Sequence, residues 1–165
     1  QAKTLFPYTT LFRSRLLQKH LKDQVCVTPL ETGASGLVVY TQDFPIKRKL
    51  VQDTLLIEHE IMVDVLHATH PDEAKAVDSN AKLDESLRML SRMVGSKAKV
   101  ALSKQTDKLA GLRFAVKGFE AGVIADLCHR AGLEVDAMRR IRIGRLPLSG
   151  LEVGQWRFLL GYERF

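Results

Sequence analysis

Apolar and polar residues alternate with two different periods along this chain, and each change of period marks an element. Residues 25–30 and 37–41 read as strands flanking a turn at 32–36, with the adjacent Val38 and Val39 making the second run strongly β. Pro45 opens a short helix to about Asp53 on the pattern Ile46, Leu50, Val51. Residues 57–66 alternate, so Ile61, Val63 and Val65 share the inward face of a strand. The charged run 70–83 is the least regular part, and Asp84 is placed to cap a helix that aligns Leu87, Leu90 and Met93. Residues 97–102 and 112–117 alternate again across a hairpin connection at 105–111. The spacing then becomes helical over 122–131, with Val123, Ile124, Leu127 and Cys128 on one face and Gly132 as the stop. Residues 140–143 alternate charged and apolar as a strand. Beyond Gly144, the residues Pro147, Gly150 and Gly154 forbid a long helix and favour a turn with a short closing strand around Trp156. Six or seven strands and three helices in mixed order predict an α+β fold, its helices packed on a mixed, largely antiparallel sheet. Trp156 is expected to fill the core, Cys128 to sit in a helix core, and His59, between two glutamates, to be solvated.

Composition changes this picture at one end. Residues 4–14, TLFPYTTLFRS, resemble the codon-by-codon translation of a sequencing-library adapter. The expected organisation is therefore a non-native tail over 1–14 and one domain over 15–165 that lacks its N-terminal part. Without Lys3 and Arg13 the formal charge falls from +6 to +4, so the chain stays basic and favours an anionic partner. Two isolated cysteines and five histidines show no metal-ligand spacing and no disulfide framework. The sequence contains no apolar run long enough to span a bilayer. A cytoplasmic monomer without metal, cofactor or membrane contact is the expectation.

The basic excess concentrates near the end of the chain. From Ala137 onward there are six arginines against two glutamates, and Arg139, Arg140, Arg142 and Arg145 flank or lie on the alternating strand. Arginine suits phosphate because its planar fork donates two hydrogen bonds and keeps its charge at neutral pH. One face of this strand is thus expected to offer a ridge of guanidinium groups to RNA.

The wording around that strand is more specific than its charge. R-x-R-I-G, L-x-G-L and G-x-W-R within 138–157 closely resemble the C-terminal part of the catalytic domain of RsuA/RluF-type ribosomal RNA pseudouridine synthases. Residues 29–43, PLETGASGLVVYTQD, stand where that family carries R-L-D-x-x-[ST]-x-G-L and the strand ending in T-x-D. Residues 58–63, EHEIMV, match its K-x-Y strand in position. The three landmarks keep their order over roughly 26–157.

The resemblance implies an isomerase that converts uridine to pseudouridine in ribosomal RNA, without metal or organic cofactor. It implies that the catalytic aspartate's place is taken by Glu31, in a turn shaped by Leu30, Ser35 and Gly36, with Ile61 at the base-packing tyrosine's position. Pro29 replaces the motif's arginine, and 122–127, GVIADL, replaces an arginine-rich helix start. Glutamate keeps the carboxylate but adds one methylene, and a misplacement of about 1 Å costs on the order of a hundredfold in rate. Two readings follow, an active synthase using Glu31 and an RNA-binding relative without turnover. A third, a DNA-binding helix-turn-helix over 118–143, would need a second helix where 140–143 reads as a strand.

Overall fold

The computed structural model describes residues 18–20, 22–66, 73–106, 108–118, 120–163 and 165. The adapter-like stretch and the expected tail boundary lie outside them. Regular structure runs β1 (Val25–Cys26), β2 (Ser35–Gly36), β3 (Tyr40–Thr41), α1 (Phe44–Gln52), β4 (Glu58–Leu66), α2 (Glu73–Val94), β5 (Ala98–Gln105), β6 (Leu109–Lys117), α3 (Val123–Arg130), β7 (Val135–Ile143) and β8 (Leu146–Pro147). The main sheet has the order β2-β7-β4-β6-β5, with β8 paired to β7. Its β4–β6, β4–β7, β5–β6 and β7–β8 ladders are antiparallel, and only β2–β7 is parallel. Strands β1 and β3 form a separate antiparallel pair. The fold is the α+β arrangement that the alternating periods predict.

One face of the main sheet is apolar because β4 and β6 keep strict alternation. Ile61, Val63 and Val65 of β4, and Ala110, Leu112, Phe114 and Val116 of β6, are buried there against Leu83, Leu90 and Val94 of α2 and Ile124, Leu127 and Cys128 of α3. A smaller cluster of Val27, Val39, Leu50, Ile57 and Ile143 ties the β1–β3 pair and α1 to the sheet's end. The opposite sheet face carries the charges.

Several expectations need correction. Helix α2 begins at Glu73, not Asp84, and Asp84 is an exposed position in mid-helix. Residues 73–94 contain no Gly or Pro, and Leu83, Leu87, Leu90 and Val94 form one continuous stripe, so nothing stops the helix earlier. No strand forms around Trp156. The β7–β8 ladder ends at Pro147, followed by one bond from the Leu148 N–H to the Ile141 carbonyl at 2.8 Å, and Trp156 is 58% exposed, edge-on to Phe158. The helix-turn-helix reading also fails. Helix α3 is followed by β7, which is bonded to β4, β2 and β8, so a strand stands where the recognition helix would be.

Strand β7 departs from its own alternation at two places; at the far one Asp64 faces Ala137 while Val65 faces Val135, leaving Asp136 extra, and the other lies beside the Glu31 turn. There Glu60 faces Arg142 while the next residue, Ile61, faces Arg140, leaving Ile141 as an extra residue in the ladder. This β-bulge reverses parity along β7. Arg140 turns to the apolar face and Arg142 to the charged one.

Candidate active site

The turn bearing Glu31 is held in place from both sides. Thr28, buried, accepts the Val39 N–H on Oγ1 at 2.9 Å, and the Ala34 N–H closes the turn on the Glu31 carbonyl at 3.0 Å. Arg140, only 6% exposed, then clamps it: Nε donates to the Leu37 carbonyl at 2.8 Å, Nη1 to the Pro29 carbonyl at 3.1 Å, and Nη2 to the Thr28 carbonyl. Gly36 sits against the Arg140 backbone, with φ at +112°, and a Cβ there would overlap it. Ser35 beside it donates its hydroxyl to the Met138 carbonyl at 3.2 Å. Two sequence-distant segments are thereby locked together around one carboxylate.

That carboxylate is half-buried and reaches the start of α3. Glu31 Oε1 accepts the Ile124 N–H at 3.1 Å, and Oε2 accepts the Ala125 N–H at 3.2 Å. The helix needs this contact because its N-cap is Gly122, which has no side chain to offer. Glu31 is a cap supplied from 93 residues away. The carboxylate is thus held by two backbone donors in the first turn of α3. The buried Cys128 thiol, behind this cap, is pushed up to about 12, first by burial and then by the Glu31 charge.

In front of Glu31 opens a cavity of about 420 Å³, to which Leu30, His59, Ile61, Met138 and Arg140 also contribute. Helix α1 borders it through Leu50 and Val51. His59 is a correction: β4 parity puts it on the face of Ile61, and it lines the cavity instead of standing in solvent. Burial, then the charges of Arg140 and Arg142, hold its imidazole down to about 4, so it is neutral at pH 7. Its ring makes no hydrogen bond among the described residues.

The expected arginine ridge is not continuous. Arg140 is buried, and burial lowers it to about 10, so it stays charged at pH 7 with all three donor nitrogens on carbonyls. Arg142 lies on the opposite sheet face, bonded by Nη2 to Glu58 and to Glu60 at 2.8 Å. Glu60 also takes two bonds from Arg113, at 2.7 and 2.8 Å, and its carboxyl is held below the usual range chiefly by Arg142. Arg139 is exposed on that same face, opposite Met62, and Arg145 is exposed at the β7–β8 turn. The structure therefore gathers Glu31, Leu30, Ile61 and Arg140 in one cavity. It leaves Arg139, Arg142 and Arg145 away from it. The bulge at Ile141, invisible to a period-2 reading, parts Arg142 from Arg140, whereas Arg139 faces away by ordinary alternation and Arg145 lies in the turn beyond β7.

Among solved structures, this fold is similar to a crystal structure described as a pseudouridylate synthase, with a TM-score of 0.60. The fold resembles that of a pseudouridylate synthase. The superposition covers 88% of this chain and 60% of that one, at 16% sequence identity, so the likeness is one of fold and this chain spans less than two thirds of that structure. No family model matches the chain, and no curated protein sequence does. Among the described residues no helix is long and apolar enough to cross a membrane, and no cluster of His, Cys, Asp or Glu could hold a metal ion.

Proposed function

We propose that this chain is a pseudouridine synthase-type domain that binds ribosomal RNA and isomerises a uridine in it, with Glu31 as the catalytic carboxylate. The observation that carries the reading is the position of Glu31: a fixed carboxylate at the wall of a cavity of about 420 Å³, on a fold similar to that of a pseudouridylate synthase. A uridine in RNA must leave its stack to enter such a cavity. The isomerisation breaks the bond from N1 to the ribose, forms one from C5, moves a proton off C5, and leaves one on N1. No oxidant, metal or organic cofactor is required. In this reading Leu30, Ser35 and Gly36 shape the turn, Ile61 packs against the base, and the exposed Arg139 and Arg145 contact phosphate beyond the cavity in a cytoplasmic setting.

A second reading, RNA binding without turnover, is favoured by one contact. Both Glu31 oxygens are already engaged in capping α3. Mapping pseudouridine in ribosomal RNA from cells with and without the gene separates them. The isomerase reading predicts a uridine whose modification disappears with the gene, and an unchanged map selects the second.

A further inference from the structure

Helix α1 borders the cavity and carries a stripe that its own packing does not use. At 100° per residue, Phe44, Lys47, Arg48 and Val51 fall within one side of the helix, while Ile46 and Leu50 face the smaller core. Phe44 is 70% exposed and Val51 54%, and both cations are exposed. Neither Lys47 nor Arg48 pairs with a carboxylate among the described residues. The two acids nearby are at the helix ends: Asp43 is bonded to the Ile46 N–H at 3.1 Å, and Asp53 is the C-cap. Across the sheet the situation is reversed, with Arg113, Arg142 and Lys104 held by Glu60, Glu58 and Asp64.

We infer that α1 is the rim that holds the RNA strand beside the nucleotide inserted in the cavity. Lys47 and Arg48 take phosphates of that strand. Phe44 offers its ring to an unpaired base, and Val51, which also lines the cavity, marks where the chain turns in. This rests on the proposed function, because it assumes that the cavity receives a nucleotide. The occupant is single-stranded or looped RNA, since duplex bases cannot reach an exposed ring. Sequence alone draws attention to the arginines of β7 because they alternate, whereas the cations of α1 become a track only once the helix places them in line with Val51.

The test is anisotropy of a labelled, uridine-containing RNA hairpin titrated with the full chain from 0.05 to 0.3 M salt. Lys47→Ala/Arg48→Ala is expected to weaken binding at least about tenfold. It should also flatten the salt dependence by about 1.4, at about 0.7 for each phosphate that is no longer neutralised. Phe44→Ala is expected to weaken binding about tenfold with the slope unchanged. Lys99→Ala/Lys117→Ala, on the far sheet face, should change neither. All these side chains are exposed, and unchanged melting curves confirm that each variant is folded. An α1 double variant that binds with native affinity and slope overturns the inference, as does transfer of the whole loss to Arg139→Ala/Arg145→Ala. If native chain forms pseudouridine while the α1 variants bind normally, this inference alone falls. If binding runs through α1 but no pseudouridine forms, the isomerase reading alone falls.

Discussion

At the scale of single residues, Glu31 has two functions that one substitution can separate. As the cap of α3 it contributes stability, and Glu31→Ala should lower the unfolding free energy by about 1–2 kcal/mol in denaturant titration. Glu31→Gln keeps one acceptor oxygen, so it should lose roughly half as much. If Ala at this position costs nothing, the capping geometry is not present in solution. His59 gives a second measurable signature. Its folded value of about 4 lies below the ordinary 6.5, so the unfolded chain takes a proton first as pH falls. Its contribution is therefore intact above about pH 6.5 and is lost progressively down to about pH 4, approaching about 3 kcal/mol. The difference in stability between native chain and His59→Gln should shrink over that window, and a difference independent of pH would place His59 in solvent. Of these residues, the motif makes Glu31 legible from sequence. Its contacts are not, because the N–H groups it reaches belong to a helix 93 residues later. His59 misleads because its glutamate neighbours suggest water, while strand parity places it with Ile61.

Among the elements, β7 and the Glu31 turn act as one unit. Arg140 bonds three carbonyls, that of the buried Thr28 among them, so Arg140→Met, which keeps an unbranched stem but no donor, should destabilise the fold by about 3 kcal/mol or more. It should also loosen the turn, seen as faster amide exchange at Ala34 and Leu37 with α2 unaffected. Equal loss of protection throughout the chain would instead make Arg140 an ordinary core residue. The elements with strict period, β4, β6 and α3, are readable because each buries one face. The bulge between Arg140 and Arg142 is not, since one extra residue changes parity without changing composition. The start of α2 is hidden for a related reason. Its first half in sequence is mostly polar, and the apolar stripe that reveals the helix runs from Leu83 through Leu87 and Leu90 to Val94.

For the whole molecule, the apolar sheet face, its two covering helices and the laterally attached α1 leave one cavity bordered by a carboxylate, a neutral imidazole and a buried guanidinium. Glu31, Ile61 and Arg140, far apart in sequence, line it together, and a pseudouridylate synthase has a similar fold. The charge of +6 describes the chain but not its binding face, because several arginines are spent on internal acids and carbonyls. The proposed chemistry is rearrangement of uridine by the Glu31 carboxylate in this cavity. Nucleoside analysis of ribosomal RNA, prepared from cells lacking the gene and incubated with purified native chain or with Glu31→Ala, tests it most directly. The account predicts new pseudouridine with the native chain and none with Glu31→Ala, although the variant still binds the RNA. Equal pseudouridine from both proteins, or none from a native chain that is folded and bound, would contradict it.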